Sequence, residues 1–269
     1  MRYNKYLEEQ LELKYQEILL IKEKTQQKEI ELMKNEDVNH LNDNTTTVIP
    51  DDLFDDIENY DDLKYILLIA LRKNKRTAVL FIGPPATAKT MFLYDLLKLD
   101  NSMIISAYNT TKAGLRDVFL NYNPKYLCID EIEKADAETT HTLLSVIENG
   151  IVQKTVAGQH IEKKVNPIIF ATCNNTNKLS DALLSRFAVF NLRTYNREEL
   201  FKIGIRIANK ENIALELREQ IINIILDSNI LRDPRDFVNI FNIVHTNNID
   251  EFKKDFETMK KYSFKLLKK

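Results

Sequence analysis

Glycine is scarce: the 269 residues contain five, Gly83, Gly114, Gly150, Gly158 and Gly204, and no tryptophan. That composition excludes collagen-like and glycine-rich low-complexity chains. It also means that most turns must be built from residues that carry a Cβ. The two cysteines, Cys128 and Cys173, lie in apolar runs. This argues against a disulfide-stapled scaffold and for buried thiols in a reducing compartment. No apolar run approaches the roughly 20 residues that cross a bilayer, and the charged N-terminus has no signal-peptide pattern. A cytoplasmic protein with no membrane partner is therefore expected. There is no excess of one charge either, with 38 Lys+Arg against 40 Asp+Glu and a net charge of −2. Any contact with nucleic acid would need a local basic patch.

Residues 1–34 are highly charged, with Leu7, Leu11, Ile18 and Ile21 at helix-compatible spacing. They read as a helix, either a short coiled coil or a loosely packed arm, that would recruit a protein partner or aid assembly. Residues 35–60 are polar and then acidic, and read as a linker. From Asp61 helices are expected over Asp61–Arg72, Thr90–Leu99, Thr110–Asn121, Ala137–Asn149 and Leu179–Arg186, with short apolar strands at Thr77–Ile82, Ser102–Ser106, Lys125–Ile129, Ile168–Thr172 and Val189–Leu192. Alternation of that kind implies a parallel sheet covered on both faces. After Asn196 only helical patterns remain, at Glu198–Asn209, Leu215–Asp227, Pro234–Thr246 and Asp250–Leu267. The expected fold is thus α/β, a three-layer αβα domain over 61–194 followed by a small all-α domain over 195–269.

Gly83-Pro84-Pro85-Ala86-Thr87-Ala88-Lys89-Thr90 lies between a strand and a helix, the setting of a phosphate-binding loop. Backbone N–H groups and the helix dipole there favour a phosphate. Lys89 would meet the β- and γ-phosphates of ATP, and the Thr90 hydroxyl would ligate Mg²⁺. The strict pattern has glycine before the lysine, where this chain has Ala88; a methyl fits if Ala88 is helical. Ala86 fits only with negative φ, or else at a modest strain. Some forty residues on, the apolar strand before Asp130-Glu131 ends in two carboxylates. At a strand C-terminus they would face the ligand crevice. Asp130 would hold Mg²⁺, and Glu131 would orient and deprotonate the attacking water.

GPPATAKT, CIDEIEK, ATCNN and LLSRF, in that order, make residues 61–248 resemble AAA+ ATPases. The resemblance implies a five-stranded P-loop nucleotide-binding domain over 61–194 with a helical lid over 195–269, and a homo-oligomeric ring, usually hexameric, with ATP between neighbouring subunits. It implies that Asn174, or failing it Asn175, is the polar sensor near the γ-phosphate. Arg186 would be the arginine finger reaching a neighbour's ATP, and Arg235, with Arg232 as competitor, the lid sensor.

Residues 150–166 alternate apolar and polar side chains about Ala157-Gly158, a β-hairpin signature. The hairpin is similar to the one preceding sensor 1 in RuvB-type motors, MCM-type helicases and MoxR-type chaperones. Lys154, His160, Lys163 and Lys164 make it basic, so it would grip DNA in a ring pore, or its charges would merely face solvent. The implied activities are an ATP-driven DNA motor of helicase or branch-migration type, a MoxR-like protein remodeller, and a clamp-loader-like or initiator-like ATP switch.

Overall fold

In the computed structural model, residues 48–156, 159–228, 230–231 and 233–262 are described. The expected N-terminal helix, the linker up to residue 47, the hairpin tip Ala157-Gly158, Arg232 and the last residues of the final expected helix lie outside them.

The strands β1 (Ala78–Ile82), β2 (Ser102–Ser106), β3 (Tyr126–Asp130), β6 (Ile168–Cys173) and β7 (Ala188–Asn191) form one parallel sheet in the order β2-β3-β6-β1-β7. The other pair, β4 (Ile151–Val156) and β5 (Gln159–Lys164), forms an antiparallel hairpin. Successive residues of a strand point to opposite faces, and both faces here are covered. Val79 and Phe81 of β1 enter one core with Phe54, Phe92 and Phe170, while Ala78 and Leu80 enter the other with Leu127, Leu143 and Ala171. In the first core the Phe81 and Phe92 rings stack at 5.0 Å. The helices covering these faces are α1 (Asp61–Lys73), α2 (Lys89–Leu96), α3 (Lys112–Asp117), α4 (Ala137–Asn149) and the short α5 (Asp181–Leu184). Gly150 ends α4 at φ 65°, where a Cβ would run into the Val165 carbonyl oxygen, so the turn into the hairpin requires glycine.

Two sequence expectations change. The segment 51–60 is no spacer along its whole length. Leu53, Phe54 and Ile57 are buried in the first core, and the Phe54 N–H donates to Asp95 Oδ2 on α2 at 2.9 Å. Three apolar residues among acids were enough to dock it. The helix expected over Thr110–Asn121 starts later and changes pitch. Thr111 caps it by accepting the Gly114 N–H, and after Asp117 it widens into a π-helical turn at Val118–Tyr122. Asn123 at φ 45°, followed by Pro124, ends it.

The remaining helices, α6 (Arg197–Lys210), α7 (Leu215–Asp227), α8 (Arg235–Ile243) and α9 (Ile249–Tyr262), form the small all-α domain around a core of their own that includes Ile222, Ile225, Phe237, Phe252 and Phe256. A capping box opens α6: Asn196 accepts the Glu199 N–H and Glu199 accepts the Asn196 N–H, both at 2.9 Å. The 51–60 segment is tied to the same helix. Arg206 donates to the Asp56 carbonyl at 2.7 Å and pairs with Glu58 at 2.9 Å, and Lys210 pairs with Asp56.

Candidate functional site

β1, β3 and β6 are neighbours in the sheet, so the loops leaving their C-terminal ends meet. The first carries Gly83–Thr90, the second Asp130-Glu131, the third Asn174. A cleft of about 490 Å³ forms there, lined by Pro85, Ala86, Thr87, Lys89, Thr90, Asp130, Glu131 and Asn174, and by Asp233, Pro234 and Arg235 from the helical domain.

Within the phosphate loop the sequence has to solve three close fits. Gly83 sits where a Cβ would strike the Leu192 carbonyl oxygen, so only glycine fits. Ala88 is helical, at φ −67° and ψ −1°, and fully buried, as its methyl requires. Ala86 stands at φ 67°. The strain alternative holds there: an alanine occupies the left-handed region at a cost of about 1–2 kcal/mol. The Lys89 ammonium is buried, donating to the Gly83 carbonyl at 2.8 Å, the Pro84 carbonyl at 2.7 Å and the Thr87 hydroxyl at 3.2 Å. Burial holds its pKa below the usual lysine value, against the opposing pull of the Glu133, Asp130 and Glu131 carboxylates.

Opposite lie the acids. Asp130 Oδ1 accepts from the Thr172 hydroxyl at 2.6 Å, and that hydroxyl in turn accepts the Glu131 N–H at 2.9 Å. Glu131 has φ 54°, which swings the chain out of the strand into the turn Ile132–Lys134. Its carboxylate meets Lys134 at 2.6 Å and the Asn174 side-chain amide at 3.4 Å. Asn174 donates through both its backbone and its side-chain N–H groups to Glu133 Oε1, at 3.0 and 3.1 Å. Asn175 is turned to a different task, accepting the Asn177 N–H as a local cap. The Arg235 guanidinium forks onto Asp233, at 3.0 Å from Nε and 2.6 Å from a terminal nitrogen, at the mouth of the cleft.

Arg186 is not part of this lining. It lies against the Ala182 carbonyl at 2.6 Å and Glu148 at 3.1 Å. The hairpin lysines are also elsewhere, and two of them are engaged. Lys154 pairs with Asp117 at 2.8 Å, and Lys163 donates to the Phe119 and Leu120 carbonyls of the π-helical turn at 3.2 and 3.0 Å. Lys164 is exposed. His160 bonds the Thr155 hydroxyl at 3.0 Å.

Thr172 and Glu133 escaped the sequence reading. The signal for Thr172 is its place as the last polar residue before Cys173-Asn174 on a strand beside β3. For Glu133 it is the second acid of Glu131-Ile132-Glu133.

Residues 98–187 match the family model "AAA domain (dynein-related subfamily)", which takes in Asp130, Glu131, Asn174 and Arg186 but begins after the phosphate loop. No curated protein sequence matches the chain at a significant level. Among solved structures, a Thermotoga maritima RuvB point variant is similar with a TM-score of 0.60 at 21% identity, over 79% of this chain and 74% of that one. A second variant of that protein gives 0.59 at 23% over 77% and 71%. A structure titled as the Thermotoga maritima RuvB Holliday junction branch migration motor gives 0.56 at 22% over 75% and 70%. The chain therefore has an AAA+ P-loop fold that resembles the fold of RuvB.

Proposed function

We propose that the protein binds ATP with Mg²⁺ in the cleft between its sheet and its helical domain, hydrolyses it, and works as a homo-oligomeric ring. The observation that carries this reading is the convergence of Lys89, Thr90, Asp130, Glu131, Asn174 and Arg235 on one cleft. The phosphate loop and the dipole of α2 bind the phosphates, with Gly83, Pro84, Pro85, Ala86, Thr87 and Ala88 supplying backbone. Lys89 exchanges its three loop acceptors for phosphate oxygens, a charge-assisted bond replacing neutral ones. One carboxylate, Asp130, and one hydroxyl, Thr90, suit an ion that keeps waters and takes its other ligands from phosphate. Such an ion would neutralise charge developing on the phosphates. Glu131 takes the proton of the attacking water, and the Asn174 amide orients that water. Arg235 leaves Asp233 to read the nucleotide of its own subunit. Arg186, absent from its own cleft, serves the neighbour's.

On substrate, the likeness to a Holliday junction motor and the exposed Lys164 support DNA as the ligand of the hairpin. A second reading, a protein-remodelling ring, is favoured by the internal use of Lys154 and Lys163. An ATPase assay with and without Mg²⁺, and with single-stranded, duplex and junction DNA, tests both. Mg²⁺-dependent turnover stimulated by DNA is expected. Turnover indifferent to every DNA favours the protein reading, and no nucleotide uptake overturns the whole proposal.

A further inference from the structure

Glu133 does not line the cleft, yet both N–H donors of Asn174 end on one of its oxygens. The other oxygen is buried and accepts no N–H or O–H, and the Cys173 thiol also interacts with this carboxylate. Such an atom is an uncommon expense in a folded protein and calls for an explanation. The local chain is shaped to deliver it. Glu131 at φ 54° reverses direction out of β3, and the following 3₁₀ turn at Ile132–Lys134 returns Glu133 toward the end of β6. The terminal torsion of an asparagine is broad and two-fold, so an unheld amide would present its oxygen or its nitrogen to the cleft. A carboxylate accepts only, so Glu133 leaves one solution. The NH₂ group faces Glu133 and lies 3.4 Å from Glu131 Oε1, and the backbone of Asn174 is pinned by the same atom.

We propose that Glu133 is a positioning residue for ATP hydrolysis: it fixes the rotamer and the amide orientation of Asn174, and through it the water that Glu131 deprotonates. This rests on the ATPase reading above. Glu133 does not line the cleft, and it shares its electrostatic pull on Lys89 with Asp130 and Glu131, so its removal should leave nucleotide binding in place.

Steady-state ATPase kinetics and fluorescent-nucleotide binding on the full chain test this with Glu133→Ala, Glu133→Gln, Asn174→Ala and the Glu133→Ala/Asn174→Ala double variant. Glu133→Ala is expected to lower kcat at least about tenfold, the scale of a misplaced reacting group, with KM for ATP and nucleotide affinity within about twofold. Glu133→Gln keeps one acceptor oxygen for both N–H groups and should recover most of that loss, an outcome that packing damage would not give. In the Asn174→Ala background, removal of Glu133 should cost nothing further. A Glu133→Gln variant as slow as Glu133→Ala, additive losses in the double variant, or a rise in KM at constant kcat would each overturn the proposal. Should Glu133→Ala misfold, Glu133→Met, which fills the same space without an acceptor, replaces it in both the wild-type and the Asn174→Ala backgrounds with the same expected outcomes. A wild-type chain that binds no nucleotide overturns the proposed function, and this inference with it. Normal wild-type turnover with Glu133→Ala unchanged overturns this inference only.

Discussion

The phosphate loop and the basic hairpin both place lysines against backbone carbonyls, and the contexts give those lysines opposite prospects. Lys89 lies buried in a cleft mouth, held by the Gly83 and Pro84 carbonyls that a phosphate can outbid. Lys163 bonds the Phe119 and Leu120 carbonyls at the end of a π-helical turn, where its charge stabilises a helix terminus. Lys154 answers Asp117 on α3. The same functional group is, on the proposed function, a ligand-binding device in one place, and it is a brace in the other. The difference lies in what else converges: acids, a hydroxyl and an amide around Lys89, whereas among the described residues Lys163 bonds backbone carbonyls and Lys154 one carboxylate.

Substitution can break or sharpen that contrast. Lys89→Ala should lower ATP turnover by about 10²–10³-fold, read in a steady-state assay, the scale of losing one preorganised charge-stabilising donor. It should leave the nucleotide-free fold intact. Because burial lowers the Lys89 pKa, the unfolded chain binds this proton more tightly than the folded one. Wild-type stability therefore gains with rising pH in the window below 10.5, the ordinary lysine value. Urea denaturation from pH 7 to pH 10 should show that gain reduced in a Lys89→Met variant.

Lys163→Ala should cost stability rather than catalysis: about 1 kcal/mol by urea denaturation, since two helix-end carbonyls lose a charged partner at a half-exposed site. Next in size comes Ala86→Gly. Relief of the left-handed strain at φ 67° outweighs the added freedom of glycine in the unfolded chain. A net gain of about 0.5 kcal/mol is expected in the same measurement. Lys164→Glu, at an exposed position, should change stability by less than about 0.5 kcal/mol. If DNA binds the hairpin, this variant should reduce the salt dependence of binding by about one ion, measured by fluorescence anisotropy against salt concentration.

Motif residues were legible where the chemistry needs a residue type at the end of a strand. Lys89, Thr90, Asp130, Glu131 and Asn174 all reached one cleft because β1, β3 and β6 are parallel neighbours whose C-termini share an edge. The βα alternation was legible for the same reason: buried strands read as short apolar runs. Roles that depend on distant partners were not. Nothing in the spacing of Lys154 and Lys163 announces Asp117 or a widened turn forty residues upstream. Glu133 read as one more acid after Glu131 until a left-handed residue turned it onto Asn174. Leu53, Phe54 and Ile57 were hidden by their acidic neighbours, because a docked strap has no periodicity.

The sequence by itself determined the layered α/β architecture, the helical domain after it and the composition of the cleft. Hydrophobic periodicity and glycine-limited turns act over a few residues, and the amino-acid order encodes them directly. Only the tertiary structure decided which charges are available and which are consumed, how the Asn174 amide is held, and that Ala86 accepts a strained conformation. Those outcomes depend on distances between segments far apart in the chain, and electrostatics, desolvation and steric contact are set by that separation in space.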